Sequence, residues 1–113
     1  MRPTQPIGIY SDLANDPDLA ELVEMFVEEM PERIARLVAT WEARDLENLT
    51  RLAHQLKGSA GSYGFHEITP FAFQLERTAK EGGSDEIARD LQDLVSICQQ
   101  VRSGSPAEIP AGV

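Results

Sequence analysis

The sequence predicts an all-α fold, an up-and-down antiparallel four-helix bundle with a short extra helix on its N-terminal side. Three observations carry that prediction. Apolar residues recur at three- and four-residue spacing in one segment after another. The connections between these segments are short, which makes neighbouring helices antiparallel. No segment alternates apolar and polar residues at strand period, and no internal repeat is present.

The elements follow in order. Residues 1–16 hold Pro3, Pro6 and Gly8 without sustained periodicity. They are expected as an N-terminal arm, at best an ordered extension, with its first few residues loose and with Ile7, Ile9, Tyr10 and Leu13 able to dock on the body. Asp16-Pro17 reads as a helix start, an N-cap acid before a proline at the first helical position. Leu19, Leu22, Val23, Phe26 and Val27 then keep helical spacing to about 29. Pro31 lacks an N–H and crowds the preceding turn, so the helix restarts or bends there. Ile34, Leu37, Val38 and Trp41 extend the stripe to about 44.

Asp45, with Asn48 three residues on, is placed to cap the next helix. Its apolar face is Leu46, Leu49, Leu52, Ala53, Leu56, Ala60 and Tyr63, and Gly61 and Gly64 mark a frayed end. A connection through Phe65-His66 leads to a helix starting around 67–70, with Ile68, Phe71, Ala72, Leu75 and Ala79 on its apolar face and a stop at Gly82-Gly83. Ser84 is read as the N-cap of the last helix, followed by Asp85-Glu86 where the helix dipole favours acids. Its stripe is Ile87, Leu91, Leu94, Val95, Cys98 and Val101. The bundle is thus expected over 17–102, with a flexible C-terminal tail over 103–113 rich in Gly, Ser and Pro.

The totals narrow the function. At 113 residues the chain suits one domain. Its net charge of −9 argues against nucleic acid and against an anionic membrane surface as partners. No run approaches the roughly 18 apolar residues of a membrane span, and the N-terminus lacks the apolar core of a signal peptide. A cytoplasmic protein, monomeric by default, is expected. The single cysteine, Cys98, lies in an apolar stripe and reads as a small core residue. Glu24, Glu28, Glu29 and Glu32 read as a solvated acidic face. His66, twelve residues past His54, makes no i, i+4 pair with it and reads as a polar residue at a helix entry rather than a metal ligand. Gly82-Gly83 is too short and wrongly placed for a nucleotide loop.

His54 is the residue that stands out. With Leu49 at zero on a helical wheel, Leu52, Ala53, Leu56, Ala60 and Tyr63 fall within about 60°, while His54 falls at about 140°. It is displayed rather than buried. Gly58 stands one turn ahead of it, Gly61 two turns ahead and Lys57 three residues ahead. A glycine inside a helix costs roughly 1 kcal/mol relative to alanine, so stability does not explain the pair. Together they are expected to leave a low surface where another protein can come close, with Lys57 as a mobile point charge able to reach a phosphate. A neutral imidazole is a competent nucleophile near neutral pH, and phosphoryl transfer asks for in-line geometry and charge neutralisation. An exposed helical histidine alone is most often plain surface; its setting distinguishes this one.

The run His54-Gln55-Leu56-Lys57-Gly58-Ser59-Ala60, closing at Gly64, resembles the H-x-[LI]-K-G-[SA]-[SA]-x-x-x-G signature of histidine-containing phosphotransfer (HPt) domains. The resemblance extends over about 17–102. It implies a four-helix bundle in which Nε2 of His54 carries a phosphoryl group, Lys57 neutralises it and Gly58 keeps the surface open for a docking receiver domain. In the family a polar residue on the following helix, often glutamine, sits beside the histidine. Here that spacing lands on Glu76, able to orient the ring through its other nitrogen, with Gln74 as the alternative neighbour. The implied function is that of a phosphoryl carrier without kinase activity, relaying between receiver-domain aspartates of response regulators and hybrid sensor histidine kinases, with no cofactor of its own and Mg²⁺ supplied by the partner. The short flanks and Met1 lean towards a free-standing protein. Two other readings stay open: a helical adaptor that docks without being phosphorylated, which the intact His-Lys-Gly set weakens, and a hydrolase with a phosphohistidine intermediate, which wants more basic groups than Lys57 and Arg51. Leu22 and Phe73 are candidates for an apolar patch receiving the partner.

Overall fold

The computed structural model describes residues 8–104. Five helices appear in order: α1 (Ala20–Glu28), α2 (Met30–Glu42), α3 (Leu46–Ser62), α4 (Thr69–Glu81) and α5 (Ser84–Cys98). Helices α2, α3, α4 and α5 pack each on the next, α5 returns onto α2, and α1 lies against α2. The expected helical bundle is therefore present. The first residues of the arm (1–7) and the tail from 105 onward lie outside the described residues.

The core is built from the predicted stripes. Val23 and Phe26 of α1, Met30 and Leu37 of α2, Leu49, Ala53, Leu56 and Ala60 of α3, Ala72, Leu75 and Ala79 of α4, and Ile87, Leu91, Leu94 and Cys98 of α5 are all buried. Each fully buried Leu, Ile or Phe contributes about 1.5–3 kcal/mol of transfer free energy. Burial pushes the Cys98 thiol up to about 12, as suits an inert core residue. Phe65 and Ile68, in the connection between α3 and α4, are also fully buried, and Phe65 stacks on Phe26 with ring centroids 5.4 Å apart. Phe71 departs from its predicted apolar face and is half-exposed, as are Phe73, Met25 and Leu22.

Several boundaries differ from the sequence reading, each for a local reason. Helix α1 starts at 20 rather than 17. The Asp16 carboxylate does accept a backbone bond, from the Asp18 N–H at 2.9 Å, but its carbonyl accepts from both Leu19 and Ala20, so the first residues form a turn. Pro31 sits in the first turn of α2, where its missing N–H costs nothing. Ser84 is not the cap of α5. Gly83 holds that place, and the Glu86 carboxylate reaches back to accept its N–H at 2.9 Å. Asp45 caps α3 as expected, accepting from the Asn48 N–H at 3.2 Å.

The chain is also not purely helical. Helix α5 stops at Cys98, and after a turn Val101–Arg102 form β2, paired in parallel with β1 (Ile9–Tyr10) in the register Ile9 to Val101 and Tyr10 to Arg102. A two-residue strand is too short to show alternation, so periodicity could not reveal it. Beyond β1 the arm docks over the corner between α3 and α4. The Ser11 hydroxyl donates to the Tyr63 carbonyl, the Asp12 N–H donates to the Gly64 carbonyl at 3.1 Å, and His66 meets the Asp12 carboxylate at 3.1 Å.

That corner explains Gly64. The end of α3 is not frayed but closed by a Schellman pair: the Phe65 N–H donates to the Ala60 carbonyl at 2.8 Å and the Gly64 N–H to the Gly61 carbonyl at 3.2 Å. Gly64 takes φ of 83°, and a Cβ there would sit 2.5 Å from Ser11 Oγ. The end of α2 closes in the same way around Arg44 at φ 58°, whose guanidinium covers the Trp41 ring at 4.0 Å. Gly64→Ala is expected to destabilise the protein by roughly 2 kcal/mol or more, from left-handed backbone strain and the collision with the arm. Thermal unfolding checks it; an unchanged melting temperature would mean the corner relaxes freely.

Candidate functional site

The site is assembled on α3 and α4. The apolar face of α3 turns Ala53 and Leu56 into the core, which carries His54 outward and brings Lys57 to the edge facing α4. On α4, Leu75 and Ala79 are buried and Glu76 lies between them on the same inward side. Its carboxylate thus arrives under the histidine from the neighbouring helix.

The geometry is tight. His54 Nδ1 lies 2.9 Å from Glu76 Oε2. Lys57 Nζ lies 2.8 Å from Glu76 Oε1, off the ideal hydrogen-bond angle but as the only cation near that buried oxygen among the described residues. Lys80, one turn along α4, adds its ammonium 3.7 Å from Oε2. The side chain of His54 is 64% exposed while that of Glu76 is 11% exposed, so the ring is displayed and its anchor is sunk. The Lys57 ammonium holds the Glu76 carboxyl below its ordinary value, against the upward push of burial and with further help from His54.

An ionised carboxylate only accepts hydrogen bonds. In the neutral ring the nitrogen facing Glu76 therefore carries the proton, and Nε2 presents its lone pair to solvent. This is an imidazole fixed in tautomer and orientation with its nucleophilic nitrogen outward.

Of the residues singled out in the sequence, His54, Lys57, Gly58 and Glu76 come together. Gln74 does not; it donates to the Asp90 carboxylate on α5 at 3.4 Å. Lys57 corrects the expectation of a mobile charge: it is held by Glu76, and its ammonium lies 5.3 Å from the centroid of the exposed Phe73 ring. At Gly58 an added Cβ would meet no atom within 4 Å, so the surface there is open. Gly61 corrects the other half of that expectation. A Cβ on it would touch Thr69 Oγ1 at 3.9 Å, which places it at the seam with α4 rather than on the open floor.

Three residues were missed. Arg33 and Arg36 of α2 line a groove of about 690 Å³ whose other wall includes His54 and Gly58. Their signal was available: they stand four and one residues before the core residue Leu37, on the edge of the buried face. Lys80 was legible in the same way, at i+4 from Glu76.

The ion set has a measurable pH signature. A carboxyl whose folded-state pKa lies below the unfolded one adds stability above the ordinary value of 4.5 and loses it as the pH falls through the lowered value. The stability of the wild type minus that of Glu76→Gln is therefore expected to shrink in urea unfolding as the pH falls from above 4.5 through the lowered value. A difference that grows with acid would contradict the charge assignment.

Comparison with known proteins gives the family. A family model described as Hpt domain matches residues 21–104. The chain is 29% identical over 94 residues to the phosphorelay protein LuxU of Vibrio cholerae serotype O1, covering 83% of each chain. It is 27% identical over 81 residues to the phosphorelay protein LuxU of Vibrio vulnificus strain YJ016, covering 72% of this chain and 70% of that one. No solved structure gives a significant match. The family match runs from α1 past the end of α5: the protein belongs to the Hpt domain family and serves histidine phosphotransfer in a phosphorelay.

Proposed function

We propose that His54 is the residue that carries the phosphoryl group, accepting it from the aspartate of one receiver domain and passing it to that of another. The observation that carries this reading is the exposed ring whose Nδ1 is tied to a buried, ionised Glu76. In the first step the Nε2 lone pair forms the N–P bond, the P–O bond to the donor aspartate breaks, and that aspartate leaves as a carboxylate. The proton stays on Nδ1 against Glu76. In the second step an acceptor carboxylate forms a new O–P bond, the N–P bond breaks and its electrons return to Nε2. Because Nδ1 has kept its proton, the ring leaves as neutral imidazole, a far better leaving group than imidazolate. Glu76 is thus a positioning residue in both directions, and Lys57 neutralises charge on the phosphoryl oxygens.

The partners are receiver domains of response regulators and hybrid sensor histidine kinases. Mg²⁺, expected in the receiver, neutralises charge on the group in transit; the chain itself uses no cofactor and has no kinase activity of its own. Its fold is read as an up-and-down four-helix bundle of α2 to α5 with α1 as the short extra helix. It is read as a cytoplasmic monomer; none of the described helices is long and apolar enough to cross a membrane.

Incubation with a phosphorylated receiver domain and Mg²⁺ tests the reading. Acid-labile, base-stable label is expected on the wild type and none on His54→Gln; equal labelling of both would overturn it. Gly58 gives a second expectation. Gly58→Ala should be as stable as the wild type or more so, by up to about 1 kcal/mol, since the position is helical and open. Gly58→Glu should stay folded yet transfer at least about tenfold more slowly, because it sets a side chain and a negative charge where the partner must sit. Transfer at the wild-type rate would mean the open floor is not used.

A further inference from the structure

The cations around His54 differ in what they are free to do. Lys57 and Lys80 are both drawn to Glu76. Arg51, on α3, donates to the Asn48 side chain at 2.5 Å. Arg33 is occupied three ways: it donates to the Phe26 carbonyl at 3.3 Å, pairs with Glu29 at 3.3 Å and covers the Phe26 ring at 4.6 Å. Arg36 is the exception. Its guanidinium has no ion pair, hydrogen bond or ring contact among the described residues, and it is exposed. It nevertheless lines the groove of about 690 Å³ that His54 and Gly58 also line.

The charge of that groove runs against the rest of the molecule. The chain carries 19 acidic residues against 10 Lys and Arg. The groove is lined by two arginines and by no Asp or Glu. Arginine presents a planar fork of donors suited to a carboxylate, and an unpaired one keeps that capacity for a partner. On the α4 side of the histidine Lys57 and Lys80 already share one carboxylate, and the exposed Arg77 does not line this groove.

We propose that Arg36 is a docking and specificity residue, and that a receiver domain seats on the α2 side of His54, over this groove, with a surface carboxylate of the receiver on the Arg36 guanidinium. This rests on the phosphotransfer reading and says where the partner sits. It makes the α2–α3 groove the front of the site and the seam with α4 its back. A long-range consequence is faster encounter with acidic surfaces than the net charge of −9 would allow.

The test separates docking from chemistry by using two phosphoryl donors. One is a receiver domain phosphorylated with acetyl phosphate and Mg²⁺. The other is phosphoramidate, which is small and needs no docking surface. Arg36→Glu is expected to raise KM for the receiver by roughly tenfold while kcat changes less than about twofold, and Arg36→Ala to raise it by a smaller factor. Phosphoramidate labelling of His54 should be unchanged in both, and the salt dependence of receiver transfer should weaken. Arg77→Glu, the same charge change at an exposed position of α4, should leave KM alone. An unchanged KM in both Arg36 variants, or a KM raised by Arg77→Glu instead, overturns the assignment. So does a lowered kcat or lost phosphoramidate labelling in Arg36→Ala, which would put the arginine on the phosphoryl group. A wild type that neither donor labels overturns the reading of His54 itself, a different outcome from failure of the arginine alone.

Discussion

A single buried carboxylate organises the functional face. Glu76 is inside the seam between α3 and α4, and a charge there is costly unless it is matched. It is matched from above by His54 and Lys57 and from the side by Lys80. The match is possible because the two helices pack through small residues, with Ala53 and Ala60 on α3 and Ala72 and Ala79 on α4 all buried. Larger side chains would push the helices apart and strand the carboxylate. Core packing and site geometry are therefore one constraint: the same face of α4 that buries Leu75 and Ala79 delivers Glu76 to the histidine.

The carboxylate also sets up a competition. A phosphoryl group on Nε2 would bring negative charge beside a glutamate that already holds the nearest lysine. A glutamine at that place would accept a bond from Nδ1 as well, without that charge. The difference has two sides. The carboxylate keeps Nδ1 protonated and so favours departure of the ring, and it claims Lys57, which the phosphoryl oxygens would otherwise hold undisputed. Both effects make the phosphorylated state less of a resting place and more of a donor, as suits a carrier.

Much of this was legible in the sequence, and the failures have physical causes. Helical stripes located all five helices because each buries one face, and Asp45 announced its own capping bond. The wheel placed His54 outside the core on angle alone. What spacing could not show was pairing between elements. That Glu76 would hold Lys57 depends on the distance between two helices, and a stripe records only which face is buried. Arg44 closes α2 in a conformation usually left to glycine, with its guanidinium on Trp41, so no glycine marked the turn. Phe65 sat between periodic segments and read as a connection, yet it is buried against Phe26. The arm's apolar residues were legible, and Ile9 is buried and Leu13 packed on the core, but its contacts with Tyr63 and Gly64 are made mostly by backbone groups, which carry no sequence signal.

The two sides of the histidine are therefore built for different tasks. Towards α4 the ring, Lys57 and Lys80 all meet Glu76, and the geometry is fixed before any partner arrives. That is what positioning requires, since a ring held by a buried anchor need not be ordered during transfer. Towards α2 the wall is open, Gly58 contributes no side chain, and an arginine stands unpaired. That is what recognition requires, since an unsatisfied group on the surface costs little while solvated and gains a partner on docking. The order of the two glycines follows the same division. Gly61 lies at the seam with α4, where it meets Thr69, and Gly58 lies on the open floor where nothing meets it. One helix turn thus separates a glycine at a packed boundary from one that no neighbour in the fold requires.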